Sequence, residues 1–522
     1  MLKEPHADRP RVQRKGLQGL CYSSGIIAAA EGWSLLRVSR VFQWVRTAVE
    51  PGDISLRHYL FFAFLVRLPA AFFSRGYGFS DHQFQYVDPA YYLAFDGSWW
   101  RPHDYVQGLR SWVYPGILAG VFKLVDWVGI TEPHAMMVAT RFVHGLVSLL
   151  PVAALWTLIV RWKGWSGQRP LLLFFAANAL VVYSGVQPTG PTFAVGLSLT
   201  AVFLFHGPGR LWPFFSGLLL GLAFACRFQD AFFGPLLLGA GLLQKRWRAC
   251  LFLALGSAIT VTGQGLVDLF TWGKFLHSPL RYVAWNVFEG QARRYGDQPV
   301  WLYAAFICLV LVFVPPFLRS GLRALREGSG KLPVMAAASL FYILLHNVMA
   351  RKDFRFVVPA LILLLVVYAS SLLFPESSES KLRRIHRRLF VGMHLVALAL
   401  ASIWYPNHGP IEAALTLNRL EDFRDRLVIV DAGDDALGGY YYLRRPRMEV
   451  DSVKREHLDS WLRAARPTTP IYLLVVRHPL AEGVDWGRYR LELVGEYRDW
   501  PDTREDPRRF LYRATRPADR SR

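Results

Sequence analysis

The chain has 522 residues, enough for three or four soluble domains, but 53% of it is hydrophobic and only 19% charged, with 36 Phe, 22 Tyr and 18 Trp. A mean hydropathy of +0.22 excludes a disordered chain, a fibre or an ordinary string of soluble domains, so the elements to find are bilayer spans of roughly 17–25 apolar residues. The net charge of +21 reads as basic loops that anchor one face in the cytoplasm and meet anionic lipid, not as a nucleic-acid module, because the basic clusters lie between apolar runs.

In chain order, residues 1–55 read as a basic cytoplasmic tail. The stretch RPRVQRKGLQGL lacks the long apolar core and small-residue cleavage site of a signal peptide. Apolar runs then fall at 56–73, 136–160, 171–186, 192–205, 211–225, 231–243, 250–270, 300–318, 334–349, 356–374 and 389–404. A twelfth run, 112–128, carries Lys123 and Asp126 and is ambiguous. The positive-inside rule arbitrates. With eleven spans and 112–128 not crossing, RWKGWSGQR, QKRWR, RSGLRALREGSGK and KLRRIHRR all face the cytoplasm. That places the C-terminus outside. No internal repeat is visible, which weakens an inverted-repeat transporter.

Residues 56–404 are thus expected to form an all-α membrane domain with a long first outer loop. From 405 to 522 the runs RLVIVDAGDD, GGYYYL, IYLLVV, RYRLELVGEY and RRFLYRA read as β-rich, interrupted by the helix-like VKREHLDSWLRAA. This is expected to be a small outer α/β domain. Its acids Asp431, Asp434 and Asp435 read better as a solvated strand-end turn than as a cation site. The cysteines Cys21, Cys226, Cys250 and Cys308 have no CxxC spacing, so neither a disulfide framework nor a zinc site is indicated.

The residues that could carry chemistry fall on the expected outer face. In the first loop, Asp81, Gln85 and Asp88 are spaced to stack on one helical face, and Asp104 returns from the loop's far arm. Acids at a membrane–water boundary can stay ionised and take a proton from a sugar hydroxyl. They serve equally well as caps of interfacial helices, and the residues alone leave both readings standing. Arg227 and Asp230 interrupt two apolar runs, either as a functional pair or as a structural one. Arg351, Lys352, Asp353 and Arg355 lie between spans on the outer side, where basic residues are disfavoured and a lipid phosphate would reward them. The loop from Asp268 to Tyr303 is aromatic, as an interfacial belt or a groove for a sugar or prenyl chain. No GxGxxG, P-loop, HExxH or GxSxG element stands in a fitting context, so soluble nucleotide-sugar chemistry is not supported.

These motifs, in this order, resemble the GT-C mannosyltransferases of glycosyltransferase family 22, which add mannose to GPI anchors and lipid-linked N-glycan precursors from dolichol-phosphate-mannose. The family's Asp-Glu pair, followed by Phe/Trp-Asn/Gln and an acid-Pro, appears as Asp81-His82-Gln83-Phe84-Gln85-Tyr86-Val87-Asp88-Pro89. Its Thr-Trp-Glu and Leu-Arg-Ser-Tyr/Trp-x-Tyr-Pro elements appear as Pro102-His103-Asp104 and Leu109-Arg110-Ser111-Trp112-Val113-Tyr114-Pro115. Its His-Lys-Glu-x-Arg-Phe-x-x-Pro appears as Arg351-Lys352-Asp353-Phe354-Arg355-Phe356-Val357-Val358-Pro359. The series Asp268, Trp272-Gly273, Tyr295-Gly296 and Pro299 to Tyr303 matches too, as does Arg141 in the next span. The likeness covers about 56–375. His82 replaces the family's Glu, Asp104 shortens another Glu, and Arg351 replaces the His.

The resemblance implies an inverting transfer of one hexose, mannose foremost, from a polyprenyl phosphate to a glycan or glycolipid acceptor at the outer membrane face. It makes Asp81 the general base. His82, Gln85, Asp88, Asp104 and Arg110 would bind the acceptor or shape the loop, and Lys352, Arg355 and Arg227 would bind the donor phosphate. No cofactor or metal ligand is implied, and the need for a divalent cation is left open. About fifty of the 60 basic residues are Arg, and the chain shows no ER-retrieval tail. Both point to a bacterial inner membrane and undecaprenyl phosphate, with the ER membrane as the eukaryotic counterpart. A lipid-linked sugar flippase is the rival, and a membrane scaffold the third reading. A flippase explains the spans and outer cations but not the acids gathered in one loop.

Overall fold

The computed structural model describes residues 54–515, apart from 75, 78–79, 98, 100, 166–167, 375–378, 404–406, 424–425, 433–438, 445–448, 465–469, 481–485, 487–488 and 499–507. The basic tail, except its last two residues, lies outside the described residues. So do Asp434 and Asp435.

The apolar runs form helices, but their lengths do not all suit a crossing. Among the described residues, Leu56–Phe73, Pro133–Trp162, Trp247–Trp272, Phe354–Leu372 and Lys381–Ser402 are long and apolar enough to cross a membrane. The number rises to seven if two bent pairs each count once: Arg169–Ala176 with Ala179–Val186, bent 42°, and Leu302–Leu311 with Pro315–Lys331, bent 68°. The second bend follows from Val312 in the left-handed region and the consecutive Pro315 and Pro316, which cannot continue a helix. Gly190–Phe205, Trp212–Cys226, Phe228–Leu243 and Pro333–Asn347 are apolar but shorter. At 1.5 Å per residue, a helix of this size reaches about 25 Å at most, short of a ~30 Å hydrocarbon core. By length, then, five to seven helices qualify where eleven spans were expected. The basic stretch RSGLRALREGSGK, read as a loop, is itself the helix Leu318–Lys331.

Run 112–128 becomes the helix Val113–Trp127, which is not among the span candidates. Leu118, Phe122 and Val125 pack into a core shared with Ile411, Leu417, Leu427 and Tyr441, while Leu124 and Trp127 stay exposed. The charged positions Lys123 and Asp126 are tolerated because this helix has only one buried face.

The C-terminal sheet has five strands: β1 (Arg426–Val430), β2 (Glu449–Val453), β3 (Ile471–Val476), β4 (Arg490–Tyr497) and β5 (Arg509–Thr515). Their order is β2-β1-β3-β5-β4. β1 runs parallel to β2 and β3, while β5 is antiparallel to β3 and β4. The period of two along a strand sends alternate residues to opposite faces. Leu427, Ile429, Tyr472 and Leu474 enter the core shared with the first loop, and Val428, Val430, Leu473 and Val475 enter a second core with Leu458 and Leu462. Continuous apolar β1 and β3 are therefore central, and the more exposed β4 is an edge. One run differs from its sequence reading: GGYYYL folds as a helical turn, Tyr440–Leu443, not a strand. Its backbone N–H groups are taken by a carboxylate from the first loop, as described next, which a sheet ladder could not allow. From Ser55 onward the described residues form one compact unit, and the sheet shares a core with the loop that precedes it by some 300 residues.

Candidate active site

After Leu56–Phe73 the chain turns helical at Ser80–His82, widens to π winding over Gln83–Val87 and tightens again in Asp88–Phe95. Hydrogen bonds in a π turn run i→i+5, so the face on which Asp81, Gln85 and Asp88 were expected to stack is not formed. Each meets a different partner. Asp81 pairs with Arg355 Nη2 at 3.1 Å. Gln85 donates its amide to Asp104 at 2.8 Å, and Tyr105 donates its hydroxyl to the Gln85 carbonyl at 2.9 Å. Asp88 is wholly buried and accepts three hydrogen bonds: from Gln83 Nε2 at 2.8 Å, Tyr440 N at 3.2 Å and Tyr441 N at 3.0 Å.

Asp104 gathers the far arm of the loop. Arg110 donates to one of its oxygens through both Nε (2.9 Å) and Nη2 (2.6 Å), the same oxygen that takes the Gln85 amide. Arg110 also lies 6.0 Å over the Tyr282 ring, and its carbonyl accepts from Trp272 Nε1 at 3.2 Å. The aromatic loop thus closes on the acid loop. Asp268 accepts from Ser278 N at 2.9 Å and from its hydroxyl, and Gln264 joins Ser278 to Ser111.

The cations divide. Arg355 opens the helix Phe354–Leu372, whose N-cap Asp353 accepts from Arg355 N at 3.1 Å and pairs with Arg355 Nε at 3.0 Å. Its guanidinium therefore bridges two carboxylates, Asp353 and Asp81. Arg227 donates Nη2 to the Phe356 carbonyl at 2.9 Å and lies 3.9 Å from Asp230, which also accepts from Ser198 and Tyr342 at 2.8 Å each. Lys352 is buried and turned inward: Nζ donates to the carbonyls of Gln298 (3.1 Å) and Met349 (3.0 Å). In this geometry it ties two segments together and does not face an open site, unlike the phosphate role the sequence suggested.

Electrostatics separate the acids. The Asp81 side chain is 41% exposed and that of Arg355 19%. Burial would raise the Asp81 carboxyl, but the Arg355 and Arg110 guanidinium groups outweigh it and hold it below the ordinary carboxylate range. His82 is buried, and burial with nearby Arg355 lowers it to about 3, so its ring is neutral at physiological pH. Burial pushes Asp88 up to about 7 against its three donors. Tyr86, on the π turn, lies within electrostatic reach of Arg110, Asp81, Arg355 and Arg227 at once. Tyr86, Tyr282 and Tyr342 escaped sequence reasoning because lone tyrosines in an aromatic-rich chain carry no spacing signal. Asp431 holds Arg455 through its backbone N–H (2.8 Å) and Nε (2.9 Å), as a strand-end turn does. Among the described residues, no three His, Cys, Asp or Glu side chains group as metal ligands.

The helical bundle with its small sheet domain has the fold of a solved structure. ArnT from Cupriavidus metallidurans, crystallised with undecaprenyl phosphate, aligns with a TM-score of 0.59 at 12% identity, covering 87% of this chain and 97% of that one. The protein is an integral membrane protein of this fold. It belongs to the Alg9-like mannosyltransferase family, whose sequence pattern matches residues 58–427. Curated relatives include GPI mannosyltransferase 3 of Drosophila melanogaster, 26% identical over 388 residues, or 70% of this chain and 66% of that protein. Human GPI alpha-1,2-mannosyltransferase 3 is 20% identical over 309 residues, or 58% and 55%. The chain spans between half and two thirds of the length of these relatives.

Proposed function

We propose that the protein transfers one mannose from a polyprenyl-phosphate donor to a hydroxyl of a glycan or glycolipid acceptor, with inversion, at the outer face of the membrane. The observation that carries this reading is the Asp81–Arg355 pair: an ionised, partly exposed carboxylate beside a guanidinium, contributed by the two loops that the family motifs mark. Asp81 takes the acceptor hydroxyl's proton as its oxygen attacks the anomeric carbon. The bond from that carbon to the phosphate oxygen breaks, and the polyprenyl phosphate leaves with the electron pair. Arg355, backed by Arg227, meets the leaving charge. Asp104 and Arg110 hold the far arm of the loop around the acceptor, with Gln85 and neutral His82 as hydrogen-bonding neighbours. Asp88 and Lys352 keep the two loops in place. No step needs a nucleotide. The undecaprenyl phosphate bound to the fold relative supports a lipid phosphate here, and the Arg-rich composition favours a bacterial inner membrane.

The test is transfer from radiolabelled polyprenyl-phosphate-mannose to a panel of glycans by the purified full chain. Wild-type protein should label at least one acceptor, and Asp81→Asn should lower the rate by about 10²–10⁴-fold, the usual range for a lost general base. No transfer, with lipid-linked sugar instead crossing reconstituted vesicles, would install the flippase in its place.

A further inference from the structure

Two jobs fall to partners that hold each other. Asp81 must be available to a hydroxyl proton, and Arg355 must be available to a phosphate, yet the two side chains are bonded at 3.1 Å. Three other cations of the site are engaged elsewhere. Arg110 gives two donors to Asp104, Lys352 gives its ammonium to two carbonyls, and Arg227 is buried on the Phe356 carbonyl beside Asp230. Asp353 pins Arg355 Nε and its backbone N–H from behind, so the guanidinium can exchange the partner in front of it without leaving its helix.

We propose that Arg355 is shared in time: the donor's phosphate takes it from Asp81, so that the base is released to the acceptor hydroxyl only when a lipid phosphate is bound. This deepens the proposed transferase reading and rests on it. A phosphate oxygen competes well for a guanidinium, because both anions offer the same forked, charge-assisted contact. Charge then moves in one direction through the reaction. Asp81 goes from an anion to a neutral acid as it receives the proton, while the phosphate goes from a monoanionic diester to a monoester that carries the charge released at its oxygen. The total beside Arg355 is unchanged, but its centre shifts from the loop to the lipid, and the guanidinium follows it. Once the lipid phosphate has gone and Asp81 has lost its proton, the pair re-forms. Binding is therefore ordered, donor before acceptor, and a water molecule finds the base engaged in the absence of donor.

The equilibrium can be read without knowing the acceptor, by titrating undecaprenyl phosphate into purified full chain at pH 7 and following binding by calorimetry. Asp81→Asn, which removes the competitor with almost no change of shape, should bind this lipid about tenfold more tightly than wild type. Arg355→Ala should bind it at least tenfold more weakly, and the double variant should match Arg355→Ala, because the gain exists only through the guanidinium. Thermal unfolding of each variant checks that it is folded. Equal or weaker binding by Asp81→Asn, or a gain that survives in the double variant, overturns the sharing while leaving the transferase reading intact. If neither wild type nor Asp81→Asn binds the lipid, the donor class itself is wrong and the sharing fails with it.

Discussion

At the scale of single residues, the site separates groups that a sequence motif sets side by side. Asp81 and His82 are neighbours in the chain, yet one is held ionised and the other neutral. The pH dependence of transfer follows. In the free enzyme a carboxyl held below its ordinary value stays ionised throughout pH 5–8, so kcat/KM for the donor should be flat there and fall only in stronger acid, as the pH drops through the Asp81 pKa. His82, lowered to about 3, would give the same flat profile as a base, so the two are separated by variants: transfer should be lost in Asp81→Asn and kept in His82→Gln. His82→Gln should leave the profile flat, as initial rates in overlapping buffers would show. Lys352 makes a different prediction from the one its motif suggests. Lys352→Met should lower the thermal midpoint, at a cost of about 1–3 kcal/mol for two carbonyls left without their donor, while changing lipid-phosphate affinity far less than Arg355→Ala. The ordered motifs single out Asp81, Asp104, Arg110 and Arg355 as candidates from the sequence alone. Their pairing was not, because Asp81 and Arg355 are 274 positions apart and charge type alone does not choose among several acids and cations.

At the scale of elements, helix contacts were partly written in the sequence and went unread. The helix Trp212–Cys226 carries Gly217 and Gly221, four residues apart, and packs on Trp247–Trp272 with Gly256 facing it. A Cβ at Gly217 would collide with the Leu253 carbonyl, one at Gly221 with the Thr260 side chain, and one at Gly256 with the Phe214 carbonyl. Small residues spaced this way allow backbones in a membrane to approach closely. Gly256→Val should therefore destabilise the protein by about 1–3 kcal/mol, the usual cost of overpacking, measured as a lower thermal midpoint in detergent. The π winding of Gln83–Val87 left no mark in hydrophobic periodicity, which is why the expected single acidic face did not form. The helical turn at Tyr440–Leu443 was unreadable for another reason. Three tyrosines favour strands locally, and only a carboxylate from a distant loop makes the turn the better choice.

At the scale of the whole molecule, the C-terminal domain completes the loop that carries the candidate base. Asp88 lies seven positions after Asp81 and fastens that loop to Tyr440 and Tyr441. Its folded pKa of about 7 lies above its unfolded value near 3.8, so the native state binds an extra proton between those values. That contribution to stability is present in acid and is lost as pH rises through 7. Asp88→Asn should therefore lose less stability than wild type between pH 4 and 8, by up to about 4 kcal/mol, in thermal scans across that range. A reporter fused after Asp431 should face the same side as one fused in the first loop, since the two regions share a core. The fastening also has a timetable. Asp88 and Tyr440 are separated by 352 positions, which a ribosome adding about 5–20 residues per second takes roughly 20–70 s to cover. Throughout that interval the loop is already made while its clasp is not, and the carboxylate keeps its water. A nascent chain that stalls before Gly439 leaves the loop unfastened, so biosynthesis itself withholds an ordered first loop from unfinished copies.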